Sequence, residues 1–121
     1  MEFLQKHSTK IAAAILLFFF ALNLVVSSQE ATTMDERAHI PSAYSYVRYG
    51  DMRLNPEHPP LLKDLAGLPL LTFQPKFPID SEEWQHGVNE QWVLGQKFIS
   101  CLVPEEACND AEQITFWSRV P

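Results

Sequence analysis

The chain has 121 residues and a formal net charge of −6, from fifteen acids against nine lysines and arginines. That length suits one domain. The acids lie mostly beyond residue 28 and no basic stripe is present, which argues against nucleic acid as a partner.

The first element is Ile11 to Val26, IAAAILLFFFALNLVV, with no charge and a single polar residue, Asn23. A membrane-crossing helix needs about 20 apolar residues, with a lower limit near 17. Adding Ser27 and Ser28 reaches that limit. Two readings fit: a retained membrane helix, or a cleaved signal peptide with Val26, Ser27 and Ser28 at the processing site. Both give one orientation. Lys6 and Lys10 precede the run, while Glu30, Asp35 and Glu36 follow it. By the positive-inside rule the amino terminus is cytoplasmic and the rest is outside. Cys101 and Cys108 fall in the exported part, where the compartment permits a disulfide; a disulfide is favoured over two free thiols or a zinc site.

After the polar stretch SSQEATTMDERAH, the segment IPSAYSYVRYG predicts a short helix. Pro41 suits its first position and Gly50 the residue past its end. Tyr44, Tyr46 and Tyr49 are of the type found at membrane–water boundaries. A second helix is expected from Pro59 and Pro60, with Leu61, Leu62, Leu65 and Leu68 at helical spacing and Lys63 and Asp64 on the other side. TFQPKFPID is a proline-broken connection. SEEWQHGVNEQWVLGQKFIS predicts one further helix, capped by Ser81, in which Trp84, Val88, Trp92 and Ile99 form a packing stripe. A fourth helix begins near Asn109, with Glu112 as its capping-box partner. It turns apolar at Ile114, Phe116 and Trp117, like the start of another membrane span. The apolar mass is expected to be too small for a well-packed independent core, with helices made to lie on something else.

Three groups of side chains could carry chemistry. Asp35 and Glu36 are adjacent acids close to the apolar run, suited to a general base or a metal ligand, or to a solvated acid pair at a helix start. Asp51, Arg53, Glu57, His58 and Lys63 surround the turn NPEHPP. Glu57 and His58 make an incomplete metal site, since zinc takes about four ligands. His58, Arg53 and Lys63 are suited to a phosphate at the amino end of the second helix. The plain alternative is a turn that stops at Asn55-Pro56, with His58 capping the next helix. His39 and His86 have no obvious partners and read as structural or exposed.

In order, MDERAHIPSAYSYVRYGDMRLNPEHPPLLKDLAGLPLL resembles the first extracytoplasmic loop of polytopic membrane glycosyltransferases of the type-C fold. That family contains the dolichyl-phosphate-mannose protein mannosyltransferases and the bacterial aminoarabinose lipid A transferases. The shared pattern is an acidic pair soon after the first membrane helix, an aromatic-rich segment, and a HPPL or KPPL turn opening a leucine-rich helix. Here these are Asp35-Glu36, Tyr44 to Tyr49, and His58-Pro59-Pro60-Leu61. The match covers roughly residues 10 to 72, and each motif is weak alone. The resemblance implies that Asp35 is the general base that deprotonates the acceptor and that Glu36 helps set the site. It implies that His58 lies near the donor phosphate and that Glu57 matches a position holding a divalent metal in some relatives. Arg53 and Lys63 are phosphate candidates on charge alone. It also implies that the first apolar segment is retained.

The expected fold is therefore all-α, a membrane protein fragment. It has a cytoplasmic tail (1–10), a transmembrane helix (11–28), an extracytoplasmic loop with juxtamembrane helices (29–112) and the truncated start of a second membrane helix (113–121). The expected function is the amino-terminal part of an enzyme of the cell membrane, multi-pass in full length. It would move a sugar from a polyprenyl-phosphate donor to a protein, lipid or glycan acceptor on the outer face, with the lipid bilayer as a further partner. The alternatives are a non-catalytic exported or anchored binding module and an inactive truncated relative.

Overall fold

A computed structural model of the chain describes residues 2–100 and 109–121, and the side chains of residues 7–100 and 109–121. The expected Cys101–Cys108 pair lies outside the described residues. Among them every regular element is helical, as an all-α chain requires. The chain divides into two units, Met1–Glu30 and Ala31–Pro121.

The first unit is helix α1, Glu2–Ser27. Its residues His7–Ser27 are long and apolar enough to cross a membrane, and none of that window is buried. A helix satisfies its own backbone, which is the condition for standing in hydrocarbon. At its end the Ser28 hydroxyl donates to the Val25 carbonyl (2.7 Å), meeting one of the acceptors a helix end leaves open.

The second unit is built around helix α2, Met34–Tyr49. It starts two turns before the expected Pro41, because Thr33 and Glu36 form a capping box. The Thr33 side chain accepts from the Glu36 N–H, and the Thr33 N–H donates to Glu36 Oε2 (2.8 Å). Asp35 and Glu36 also complement the positive end of the helix dipole. Gly50 ends the helix as expected, with φ at 66°. Ala38 and residues 40–46 are buried, which takes in every side of the helix. Tyr44 and Tyr46 are thus core residues, not boundary residues; only Tyr49 of the three is exposed.

Pro41 lies inside α2 and has no N–H for the carbonyl of Arg37. Helix α6, Gln91–Ile99, packs at that spot. A Cβ on Gly95 would fall on the Arg37 carbonyl oxygen, with Pro41 Cγ only 3.3 Å away. Glycine is what lets the two backbones approach. The other flank is covered by helix α3, Pro60–Gly67, which opens with Pro at its first position as expected. Gly67 plays the same part there, since its Cβ would lie 2.8 Å from the Ala43 carbonyl carbon and 3.0 Å from Val47 Cγ2.

A single turn, α4 (Leu70–Phe73), follows. The expected helix over residues 81–100 is two pieces: α5, Glu82–Gln85, capped by Ser81, and α6. Asn89 adopts a left-handed φ of 63° between them and donates its N–H to the Arg53 carbonyl (2.9 Å). The break dissolves the expected stripe. Val88 is 64% exposed and Trp92 46%, while Ile99 is buried. Helix α7, Ala111–Ser118, is capped by Asp110, whose side chain accepts from the Gln113 N–H (2.9 Å). Asn109, the expected cap, bonds the Lys76 backbone at both ends and donates to the Phe98 carbonyl (2.9 Å).

Despite the small apolar mass a core does form, from Ile40, Tyr44, Leu54, Leu70, Phe77, Leu94, Phe98, Ile99 and Ile114. Aromatic rings carry much of it. Tyr44 stacks on Phe98 (5.8 Å between centroids), and Phe77 meets Trp84 edge to face (4.8 Å). Such pairs add about 0.5–1.5 kcal/mol each beyond area burial.

Candidate functional site

The charged turn before α3 is fixed by a buried polar network. Asn55 is fully buried, and its side chain donates to Gln91 Oε1. The Lys63 ammonium is buried beneath the turn and donates to the Asn55 carbonyl (3.1 Å), to Asn55 Oδ1 and to the Tyr46 hydroxyl (3.3 Å). Its three donors thus have three acceptors, the condition for keeping a lysine out of water. Burial pulls its pKa below the usual lysine range, partly opposed by the charge of Glu57. Gln91 Nε2 continues the chain to Glu57 Oε1 (2.9 Å).

This network turns His58 toward α2. Its ring lies 5.1 Å from that of His39, edge to face. Together they border a cavity of about 780 Å³. The first turns of α2 supply Glu36, His39 and Ile40; the turn supplies His58 and Pro59. α3 adds Leu61, Leu62 and Leu65, and the end of α7 adds Ser118 and Arg119. One side is apolar and the other carries two imidazoles, a guanidinium and a carboxylate.

The carboxylate is neutralised. Arg119 grips Glu36 with two bonds, Nε to Oε1 (2.6 Å) and Nη2 to Oε2 (2.7 Å), and also donates to the Ala31 carbonyl (3.0 Å). A fork-to-fork pair of this kind is directional as well as strong. Burial pushes the Glu36 carboxyl up, but Arg119 and Thr33 outweigh it and hold the group below its ordinary 4.5. The unfolded chain therefore binds this proton more readily. The resulting stability is fully present above pH 4.5 and is lost as pH falls through the lowered folded value. In acid unfolding followed by near-ultraviolet circular dichroism, Glu36→Gln should flatten this limb. An unchanged acid limb would refute the assignment.

His39 is the opposite case. Burial, then the charges of Lys63 and His58, lower its pKa below the usual histidine value, with Asp35 opposing. The ring is accordingly neutral at pH 7. Its Nδ1 is buried without a hydrogen-bond partner, and so is Ser118 Oγ. An unsatisfied buried polar group costs about 1–3 kcal/mol, so two on the lining of one cavity call for an explanation.

Of the residues singled out in the sequence, Glu36, His58 and Lys63 are brought to this cavity. Lys63 comes with its ammonium engaged inside the unit. Asp35 is exposed in the first turn of α2, beside Glu36 and one turn before His39. Arg53 is not brought to His58. Its guanidinium pairs with Asp51 (Nη2 to Oδ2, 2.8 Å) and lies over the Trp84 ring, 5.4 Å from its centroid. Glu57 is exposed and bonded to Gln91. No three His, Cys, Asp or Glu side chains converge among the described residues. Glu57 belongs to no such group among the described residues. His86 is exposed, as expected.

The sequence reading missed His39 and Arg119. His39 had a signal, its position one turn after Asp35 on the face that meets His58. Arg119 had little, because Glu36 is 83 residues away. No family model, curated protein or solved structure matches the chain.

Proposed function

We propose that this chain is the amino-terminal part of a membrane glycosyltransferase. It moves a sugar from a polyprenyl-phosphate donor to a protein, lipid or glycan acceptor at the extracytoplasmic face of the cell membrane. The resemblance of the loop supports this reading, and one observation carries it further. Glu36 of the acidic pair and the HPPL turn, apart in sequence, meet at a leucine-walled cavity whose polar side holds two unsatisfied buried atoms, His39 Nδ1 and Ser118 Oγ; Asp35 is exposed beside Glu36. A ligand with an apolar chain and an anionic head suits such walls. His58 provides an imidazole and Ser118 a hydroxyl as hydrogen-bond partners, and the Arg119 guanidinium lies on the same lining, held by Glu36.

In this reading Asp35 takes the proton of the acceptor hydroxyl. The freed oxygen pair bonds to the anomeric carbon, and the bond from that carbon to the phosphate oxygen breaks. Its electron pair leaves on the polyprenyl phosphate. The leaving group departs as an anion and needs positive partners more than an acid. Glu36 touches none of the reacting atoms. It positions the first turn of α2 through Thr33 and Arg119. The test is binding of undecaprenyl phosphate to the full chain in nanodiscs. Losing one charge-assisted hydrogen bond should weaken the His58→Ala variant about tenfold or more, with undecaprenol binding unchanged. No change with the phosphate, or equal weakening with both lipids, would count against it.

A further inference from the structure

His39 has no part in the transfer steps above, yet its surroundings are incomplete. It stands one turn after Asp35 on α2, lines the cavity and carries a buried Nδ1 with no hydrogen-bond partner. The His58 ring meets it edge to face, 5.1 Å away. Ser118 Oγ, on the same lining, is likewise unpartnered. An apolar side chain would fill the space without the cost of an unpaired ring nitrogen. The groups around His39 favour its neutral form. Burial, Lys63 of α3 and His58 of the turn all oppose a proton on the ring, while Asp35 favours one. Glu36, on the same helix, is held by Arg119 of α7, and Glu57 of the turn is exposed and bonded to Gln91. Helix α6 turns neutral residues inward, Leu94 and Gly95 among them, and α4 carries no titratable group. An anion in the cavity reverses this balance. Negative charge beside the ring favours the imidazolium, and more so in a partly desolvated site than in water. Both ring nitrogens are then donors.

We propose that His39 binds the anionic headgroup as an imidazolium, so that one phosphate and one proton enter the cavity together. The inference rests on the reading of this cavity as a lipid-phosphate site. The empty site holds the neutral ring. As the phosphate enters, a proton from solvent joins the lone pair of the ring, and the ring donates to a phosphate oxygen. No bond to phosphorus forms or breaks. The coupling is reciprocal: the phosphate strengthens the hold of the ring on its proton, and falling pH strengthens the hold of the site on the phosphate. The gain begins as pH falls through the raised value of the occupied site. It ends at the lowered value of the empty site, below the ordinary 6.5, where the ring is charged with or without ligand. A phosphate monoester loses charge of its own as pH falls, which weakens binding and has the opposite sign. A diester keeps one charge throughout, and the proposed sugar donor is such a diester.

The probe is therefore undecaprenyl methyl phosphate, and its Kd for the full chain is measured in phosphatidylcholine nanodiscs at pH 8 and pH 7. Uptake of one proton should tighten binding about three- to tenfold over that unit. His39→Asn keeps an amide nitrogen near the Nδ1 position but takes no proton, so its Kd should be the same at both pH values. A second reading needs no substitution. With nitrogen-15 in the histidine rings at pH 7, both His39 nitrogens should move at saturation to the positions of an imidazolium. A wild-type Kd that does not change with pH overturns the inference. So does a pH dependence that survives in His39→Asn, or a His39 ring still neutral at saturation. Each of these leaves the lipid-phosphate reading in place, whereas absence of binding at both pH values overturns the two together.

Discussion

In the full-length transferase proposed above, Asp35→Asn is expected to lower sugar transfer by about 10²–10⁴-fold, the usual contribution of a general base, while fold and polyprenyl-phosphate binding persist. The side chain is exposed in the first turn of α2. The capping box belongs to Thr33 and Glu36 and stays intact. The loss should fall on kcat, because the base acts in the transition state and does not hold the donor. Glu36→Gln gives a different pattern. It weakens the grip of Arg119, so transfer and stability at neutral pH fall together while the acid limb flattens. Full transfer in the Asp35→Asn enzyme would end the assignment of Asp35.

The largest effect on stability is expected at Gly95. A methyl group there falls on the Arg37 carbonyl oxygen, which the chain cannot move without parting α2 from α6. Overpacking of this kind costs about 3 kcal/mol or more. For a unit of this size that lowers the midpoint of thermal unfolding by more than about 12 °C. Gly50→Ala is the useful contrast. Nothing lies within 4 Å of its would-be Cβ, so only the left-handed φ of 66° opposes the change, at about 1 kcal/mol. Thermal melts of both variants, followed by near-ultraviolet circular dichroism in the same detergent, compare them directly. Equal shifts would show that the α2–α6 contact is not close-packed.

The parts of the fold legible in the sequence were those written locally. The apolar run, the Pro59-Pro60 start of α3, Gly50 as a helix stop and Ser81 as a cap each depend on a few neighbouring residues, and each appears where expected. The start of α2 was also written locally, in Thr33 and Glu36. Pro41 hid it, because proline suits a first helical turn so well. That proline is tolerated inside α2 because Gly95, more than fifty residues on, packs where the helical hydrogen bond is missing. The division of α5 from α6 depends on Asn89 taking a left-handed turn and bonding Arg53. Periodicity alone could not reveal this, and the run of Trp84, Val88 and Trp92 pointed the other way.

The candidate site divides along the same line. Asp35, Glu36 and His58 stood out because their neighbours form short motifs. Lys63 and Arg53 were marked by charge, and charge does not say what a side chain faces. Only the folded chain engages the Lys63 ammonium with Asn55 and Tyr46, and the Arg53 guanidinium with Asp51 and Trp84. His39 and Arg119 acquire meaning through partners distant in sequence, His58 and Glu36.

The most direct measurement is a titration of the full chain, with its histidine side chains labelled with nitrogen-15, in nanodiscs at pH 7. Undecaprenyl phosphate is added in one series and undecaprenol in the other. If the cavity takes a lipid phosphate, the imidazole resonances of His39 and His58 shift together and saturate with the phosphate. They stay in place with the alcohol, and the exposed His86 moves with neither. Identical responses to both lipids, or no response at His39 and His58, would contradict the account.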